Sequence, residues 1–99
     1  MSTVKLDLEH QVLIIDPTCF PEADEFELWA KIFLHFPEHI QILEFSQGAD
    51  RHQLRFNYAQ QSFHLNFEHY SDSIWITPLG LDAHAQLENL ALLFLSNSQ

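Results

Sequence analysis

In three stretches of the chain, large apolar residues recur at every second position. Leu54, Phe56 and Tyr58 alternate with Gln53, Arg55 and Asn57. Phe63, Leu65 and Phe67 alternate with His64, Asn66 and Glu68, and Ile74 and Ile76 flank Trp75. A period of two is the pleat of a β-strand with one buried and one wet face. Short polar segments separate the stretches, so they read as successive antiparallel strands. Trial registers test this. A two-residue turn at Gln60-Gln61 sets Tyr58 opposite Phe63, Phe56 opposite Leu65 and Leu54 opposite Phe67. A turn at Ser71-Asp72 sets Phe67 opposite Ile76. A further strand, Ile40 to Phe45, joined through a four-residue turn at Gln47–Asp50, sets Leu43 opposite Leu54. All three registers gather the apolar residues on one common face, and a slip of one residue would scatter them.

The flanking segments read differently. Pro21 suits the first position of a helix, and Glu22, Asp24 and Glu25 place negative charge where the helix dipole favours it. Phe26, Trp29, Ala30, Phe33 and Phe36 then follow the spacing of one helical stripe, which Leu28 and Ile32 widen until Pro37 stops it. Asp82 is a good N-cap for a last helix running to about Leu95, with a stripe of Ala83, Leu87, Leu90, Ala91 and Phe94. Near the start, Val4, Leu6 and Leu8 alternate with charged residues and Val12–Ile15 is a short apolar run. This is either one bulged strand or a small hairpin turning at Glu9-His10-Gln11. Ser96–Gln99 reads as a frayed tail.

The expectation is a single domain over residues 1–99, of the α+β class. It has two layers: an antiparallel β-meander of four to five strands with two helices packed on one face, in the order β(β)-α-β-β-β-α. The succession helix–three strands–helix resembles the arrangement of the double-stranded-RNA-binding fold. The basic residues that such a domain uses are absent, so the resemblance implies topology and no function.

Charge excludes several roles. Lys plus Arg number 4 and Asp plus Glu 14, a formal charge of 4 − 14 = −10. Phosphate binding needs the opposite balance, so no nucleic-acid partner is expected. An apolar fraction of 46% with 13% aromatics is too high for a disordered tail. No apolar run reaches the roughly 18 residues of a membrane span. Cys19 is the only cysteine, which precludes an internal disulfide and suits a reducing compartment. The first residues lack the apolar stretch of a signal peptide, so a cytoplasmic location is expected. With two glycines, a phosphate cradle built from backbone amides is not expected, and no Gly-rich nucleotide motif or nucleophile-elbow motif occurs.

The candidate sites follow from the faces. The second sheet face would carry Ile40, Ile42, Glu44, Gln53, Arg55, Asn57, His64, Asn66, Glu68, Trp75 and Thr77. Most of these suit solvent, but Ile40, Ile42 and Trp75 do not. They are covered either by the N-terminal segment or by a partner, for which Ile42, Arg55 and Trp75 would be the contact centre. Leu92, Leu93 and Leu95 make the last helix apolar nearly all round, which points either to a wide core stripe or to a second copy of the chain. His52 and His69 fall opposite each other in the trial register, a weak metal candidate because zinc takes three or four ligands. No catalytic residues and no cofactor are assigned. Cys19 lies among acidic residues that oppose a thiolate.

The sequence is read as a small acidic protein that works by binding another protein or, as a homodimer, a second copy of itself, without catalysis. Two alternatives are a ligand- or metal-binding or catalytic domain using His52, His64 and His69, and an acidic decoy of nucleic acid built on carboxylates such as those of Glu22–Glu27.

Overall fold

A computed structural model describes residues 2–36 and 38–96 of the chain. Six strands, β1 (Ser2–Asp7), β2 (Val12–Pro17), β3 (Ile40–Gln47), β4 (Arg51–Tyr58), β5 (Gln61–Glu68) and β6 (Ser73–Pro78), form one sheet. Its spatial order is β1-β2-β6-β5-β4-β3 and every pairing is antiparallel. A 3-10 turn (Ala23–Glu25) leads into helix α1 (Phe26–Phe33). Helices α2 (Leu81–Ala85) and α3 (Leu87–Ser96) follow the last strand. The α+β class and the antiparallel sheet with helices on one face are therefore as expected. The strand count is higher. The N-terminal segment is a hairpin, and Ile40–Phe45 and the three alternating stretches are four separate strands between the helices, one more than the expected order β(β)-α-β-β-β-α allows. The helix–three strands–helix arrangement of the double-stranded-RNA-binding fold is accordingly not the topology found.

The apolar set that suggested the common face forms the core. Leu13 and Ile15 of β2, Leu54 and Phe56 of β4, Phe63, Leu65 and Phe67 of β5, and Ile74 and Ile76 of β6 are all buried. Phe26 and Ala30 of α1 close over one half of them. Ala83, Leu87, Leu90, Ala91 and Phe94 of α2 and α3 close over the other half. Rings fix the contact: Phe26 stacks on Phe67 at 4.9 Å between centroids, and Phe33 meets Phe94 at 4.9 Å, joining α1 to α3.

The registers differ from the trial ones by an even number of residues wherever the strands are regular, so the faces survive while the partners change. Phe56 pairs with Phe63, Leu54 with Leu65 and His52 with Phe67. Leu65 pairs with Ile76, and Phe67 with Ile74. The β4–β5 turn is Ala59-Gln60, both at positive φ (53° and 66°), the backbone of a tight two-residue hairpin. The β5–β6 loop spans His69–Asp72. In β3 the change is larger. Phe45 faces Leu54, the ladder shifts between Ile42 and Glu44, and Ile42 faces Phe56. Leu43 is the extra residue of a β-bulge. The bulge turns Ile40 and Ile42 onto the helix-covered side, where Ile40 is buried and Ile42 packs against the core.

The helices differ from expectation at their margins. Leu28 and Ile32 do not widen the α1 stripe; they are 67% and 68% exposed. Helix α1 ends at Phe33 with Leu34 as its C-cap, before Pro37, which lies outside the described residues. The last helical segment is broken at Gln86, and Gly80, at φ 108°, rather than Asp82, stands at the N-cap. Of the expected tail, Ser96 is the final residue of α3, and residues 97–99 lie outside the described residues. No helix among the described residues is long and apolar enough to cross a membrane.

Candidate functional site

Helices cover one face of the sheet, and the strands' alternation builds the other. The cross-strand row Ser46–Gln53–Asn66–Trp75–Ile14–Lys5 runs across all six strands, beside the row Glu44–Arg55–His64–Thr77 and the row Arg51–Glu68–Ser73. Trp75 is half-buried near the middle of this open face, next to Ile14 of β2. The Arg51 guanidinium lies 5.2 Å from the centroid of the Trp75 ring and its terminal nitrogen 3.8 Å from the Glu68 carboxylate. A guanidinium over an indole face is drawn there by the ring quadrupole.

Beside Trp75 the face is wired by hydrogen bonds. Asn66 is only 1% exposed although it belongs to the open side. Its carbonyl accepts from the Gln53 amide at 2.7 Å. Its own amide donates to the Trp75 carbonyl and to Thr77 Oγ1, both at 3.2 Å, and to the His64 carbonyl at 3.3 Å. A buried amide with its donors and acceptor used ties β4, β5 and β6 together beside the indole and costs little to bury. In the neighbouring row, burial and then the Arg55 charge hold the His64 imidazole below its ordinary value of 6.5, while Glu44 works against them.

A cavity of about 550 Å³ opens beside Trp75 over β1, β2 and the edge of β6. Ile14 and Trp75 supply apolar surface. Thr3, Lys5, Asp7, Asp16, Glu68 and Ser73 surround it, together with His10 and Asp72 from the adjoining turns. Asp7 and His10 are coupled: the His10 backbone N–H donates to Asp7 Oδ1 at 3.1 Å, and its ring Nδ1 lies 2.9 Å from Oδ2. The hydrogen bond from the His10 ring holds the Asp7 carboxyl below its ordinary 3.8.

The residues singled out in the sequence divide accordingly. Trp75 and Arg55 share the open face, but the cation on the indole is Arg51, not Arg55. Ile42 is not there, because the Leu43 bulge reverses its side. On α3, Leu92 (57%) and Leu95 (46%) are exposed, whereas Leu93 packs against the core. The histidine set does not converge. His52 is on the helix-covered side and His64 on the open side, so the sheet separates them. His69 lies past the end of β5 rather than opposite His52, yet its ring is 6.1 Å from that of His52. His52 is 2% exposed among Phe26, Phe45 and Phe67, and neither of its ring nitrogens has a hydrogen-bond partner among the described residues. Among the described residues, no group of three or more His, Cys, Asp or Glu gathers in metal-binding geometry. Cys19 is exposed in the segment between β2 and the 3-10 turn.

Sequence reasoning missed Ile14, Asp16 and Arg51. The first two enter because β2 pairs with β6, a contact between segments some sixty residues apart that no local pattern announces. Arg51 was missed because the apolar alternation of β4 becomes visible only from Leu54 onward.

No curated protein and no solved structure matches the chain. The family model described as protein of unknown function, DUF3630, matches residues 1–97. The chain therefore belongs to the DUF3630 family.

Proposed function

We propose that this protein works by binding another protein through the open face of its sheet, with Trp75 at the centre of the contact. The observation that supports this most is the position of Trp75. A half-buried indole stands on a bare sheet face, between a satisfied polar network and a concave, partly apolar surface. Such a ring adds little to the core but offers a large rigid anchor to a partner, and aromatic anchors ringed by polar groups dominate interface energetics. The test is native mass spectrometry of untagged protein from its natural host. A complex of defined extra mass is expected. It should vanish in Trp75→Ala with the circular dichroism unchanged, and persist in Leu92→Ala. Persistence of the complex in folded Trp75→Ala would overturn the reading.

A second reading has its own observation. Leu28 and Ile32, one turn apart on α1, and Leu92 and Leu95 on α3 expose apolar surface on the helical layer. Self-association through this layer predicts a dimer in the same spectrum that is lost in a Leu92→Asp, Leu95→Asp variant and retained in Trp75→Ala. The open face is a poor surface for a second copy, since its carboxylate-rich rim would meet itself.

A further inference from the structure

We infer that the cavity beside Trp75 receives a lysine or arginine side chain of the partner protein; this rests on the open face being the docking surface. Charge and shape both favour a long basic side chain there. Four carboxylates, Asp7, Asp16, Glu68 and Asp72, border the cavity against Lys5, with His10 paired to Asp7 and Arg51 loosely to Glu68, so Asp16 and Asp72 lead the attraction, and the chain as a whole carries a formal charge of −10. An anionic or a second acidic surface is repelled there, and a cationic one is steered in. The floor suits the rest of a long basic side chain. Its methylenes lie along Ile14 and Trp75 while the charged head reaches the carboxylates, as such side chains do at apolar–polar borders. The chain already holds one cation in this way: Arg51 stacks on Trp75 at 5.2 Å and approaches Glu68 at 3.8 Å. Both of those residues also border the cavity. Arg51 is thus an internal competitor for the groups that a partner's cation would use.

Removing Arg51 frees the indole and Glu68 and deletes a positive charge beside the site, so Arg51→Ala tightens binding of a cationic ligand. For an anionic ligand the same change would weaken it.

The experiment is a two-dimensional ¹H–¹⁵N titration of the full chain with a blocked oligo-lysine peptide at low salt, with oligo-glutamate as the control. Shifts are expected at the Trp75 indole N–H and at Ile14, Asp16 and Ser73, with none from oligo-glutamate. Affinity should fall about fivefold in Trp75→Ala and about threefold in the double variant Asp16→Asn, Asp72→Asn, and rise about threefold in Arg51→Ala. Dispersed spectra confirm that each variant is folded, and the carboxylate variant serves should Trp75→Ala fail to fold. Shifts confined to the acidic first turn at Glu22, Asp24 and Glu25 would overturn the inference. So would weaker binding by Arg51→Ala. If a Trp75-dependent complex forms in the host while oligo-lysine leaves the cavity silent, the docking face stands and its cation chemistry falls. If oligo-lysine maps to the cavity and no Trp75-dependent complex exists, the cation site stands and the proposed function falls.

Discussion

The same strands build two faces that obey different rules. On the covered side, Leu54, Phe56, Phe63, Leu65, Phe67, Ile74 and Ile76 are all buried, and burial of apolar area fixes what each position must be. On the open side, Asn66, Gln53, His64, Arg51 and Trp75 interact pairwise through hydrogen bonds, a stacked cation and a loose ion pair. The covered face holds the fold together. Most positions of the open face bury less apolar area, so substitutions there should leave the chain folded.

Mutations should separate the faces by magnitude. The largest effect belongs to the core. Phe67→Ala removes a ring stacked on Phe26 at 4.9 Å and should cost about 3–5 kcal/mol in chemical denaturation. A loss below about 1 kcal/mol would mean that the two layers do not meet as described. His52 is the exception within the covered face, a polar ring in an aromatic surround with neither nitrogen paired among the described residues. His52→Leu should therefore stabilise the fold by about 1 kcal/mol, read as a raised denaturation midpoint. Destabilisation would show that those nitrogens have a role in the fold. Trp75→Ala should cost about 0.5–1 kcal/mol, the scale of an exposed cation–π contact, while abolishing the partner complex. The smallest effect is a pH slope. The folded value of His64 lies below 6.5, so the folded chain binds fewer protons than the unfolded one as pH falls. Stability is then lost as pH drops through 6.5 and levels off below the folded value. His64→Gln should flatten the decline in unfolding midpoint between about pH 7 and 5 relative to the parent chain. An unchanged slope would place the acid sensitivity elsewhere.

The two faces were also unequally legible in the sequence. The covered face was readable because a period of two survives any even error in register. The trial turn at Gln60-Gln61 lies one residue from the true turn at Ala59-Gln60, which moves each pairing by two positions and leaves every side chain on its own side. Ala59 and Gln60 carry none of the Gly or Asn chemistry that marks positive φ, so nothing local identified that turn. The bulge at Leu43 is an odd shift, and it alone reversed a face, sending Ile42 to the core. Alternation cannot reveal a bulge in a segment such as Ile40–Phe45, where apolar residues fall at both parities. The open face was legible only where it consisted of the meander strands. Trp75 and the polar residues around it followed from β4–β6, whereas Ile14 and Asp16 depended on the distant pairing of β2 with β6. On α1, Leu28 and Ile32 followed helical spacing yet lie outside, because spacing sets neighbours along a helix but the sheet below sets how wide a stripe is buried.

The most direct test of the claim that Trp75's face is the docking surface is site-specific photo-cross-linking in the natural host. A photoreactive residue would replace Thr3 at the cavity and, in a separate version, Leu28 on the helical layer. The prediction is a hetero-adduct from position 3, none from position 28, and loss of the first when Trp75→Ala is added while the thermal midpoint falls by only a few degrees. A hetero-adduct from position 28 alone, or one from position 3 that is indifferent to Trp75→Ala, would contradict it.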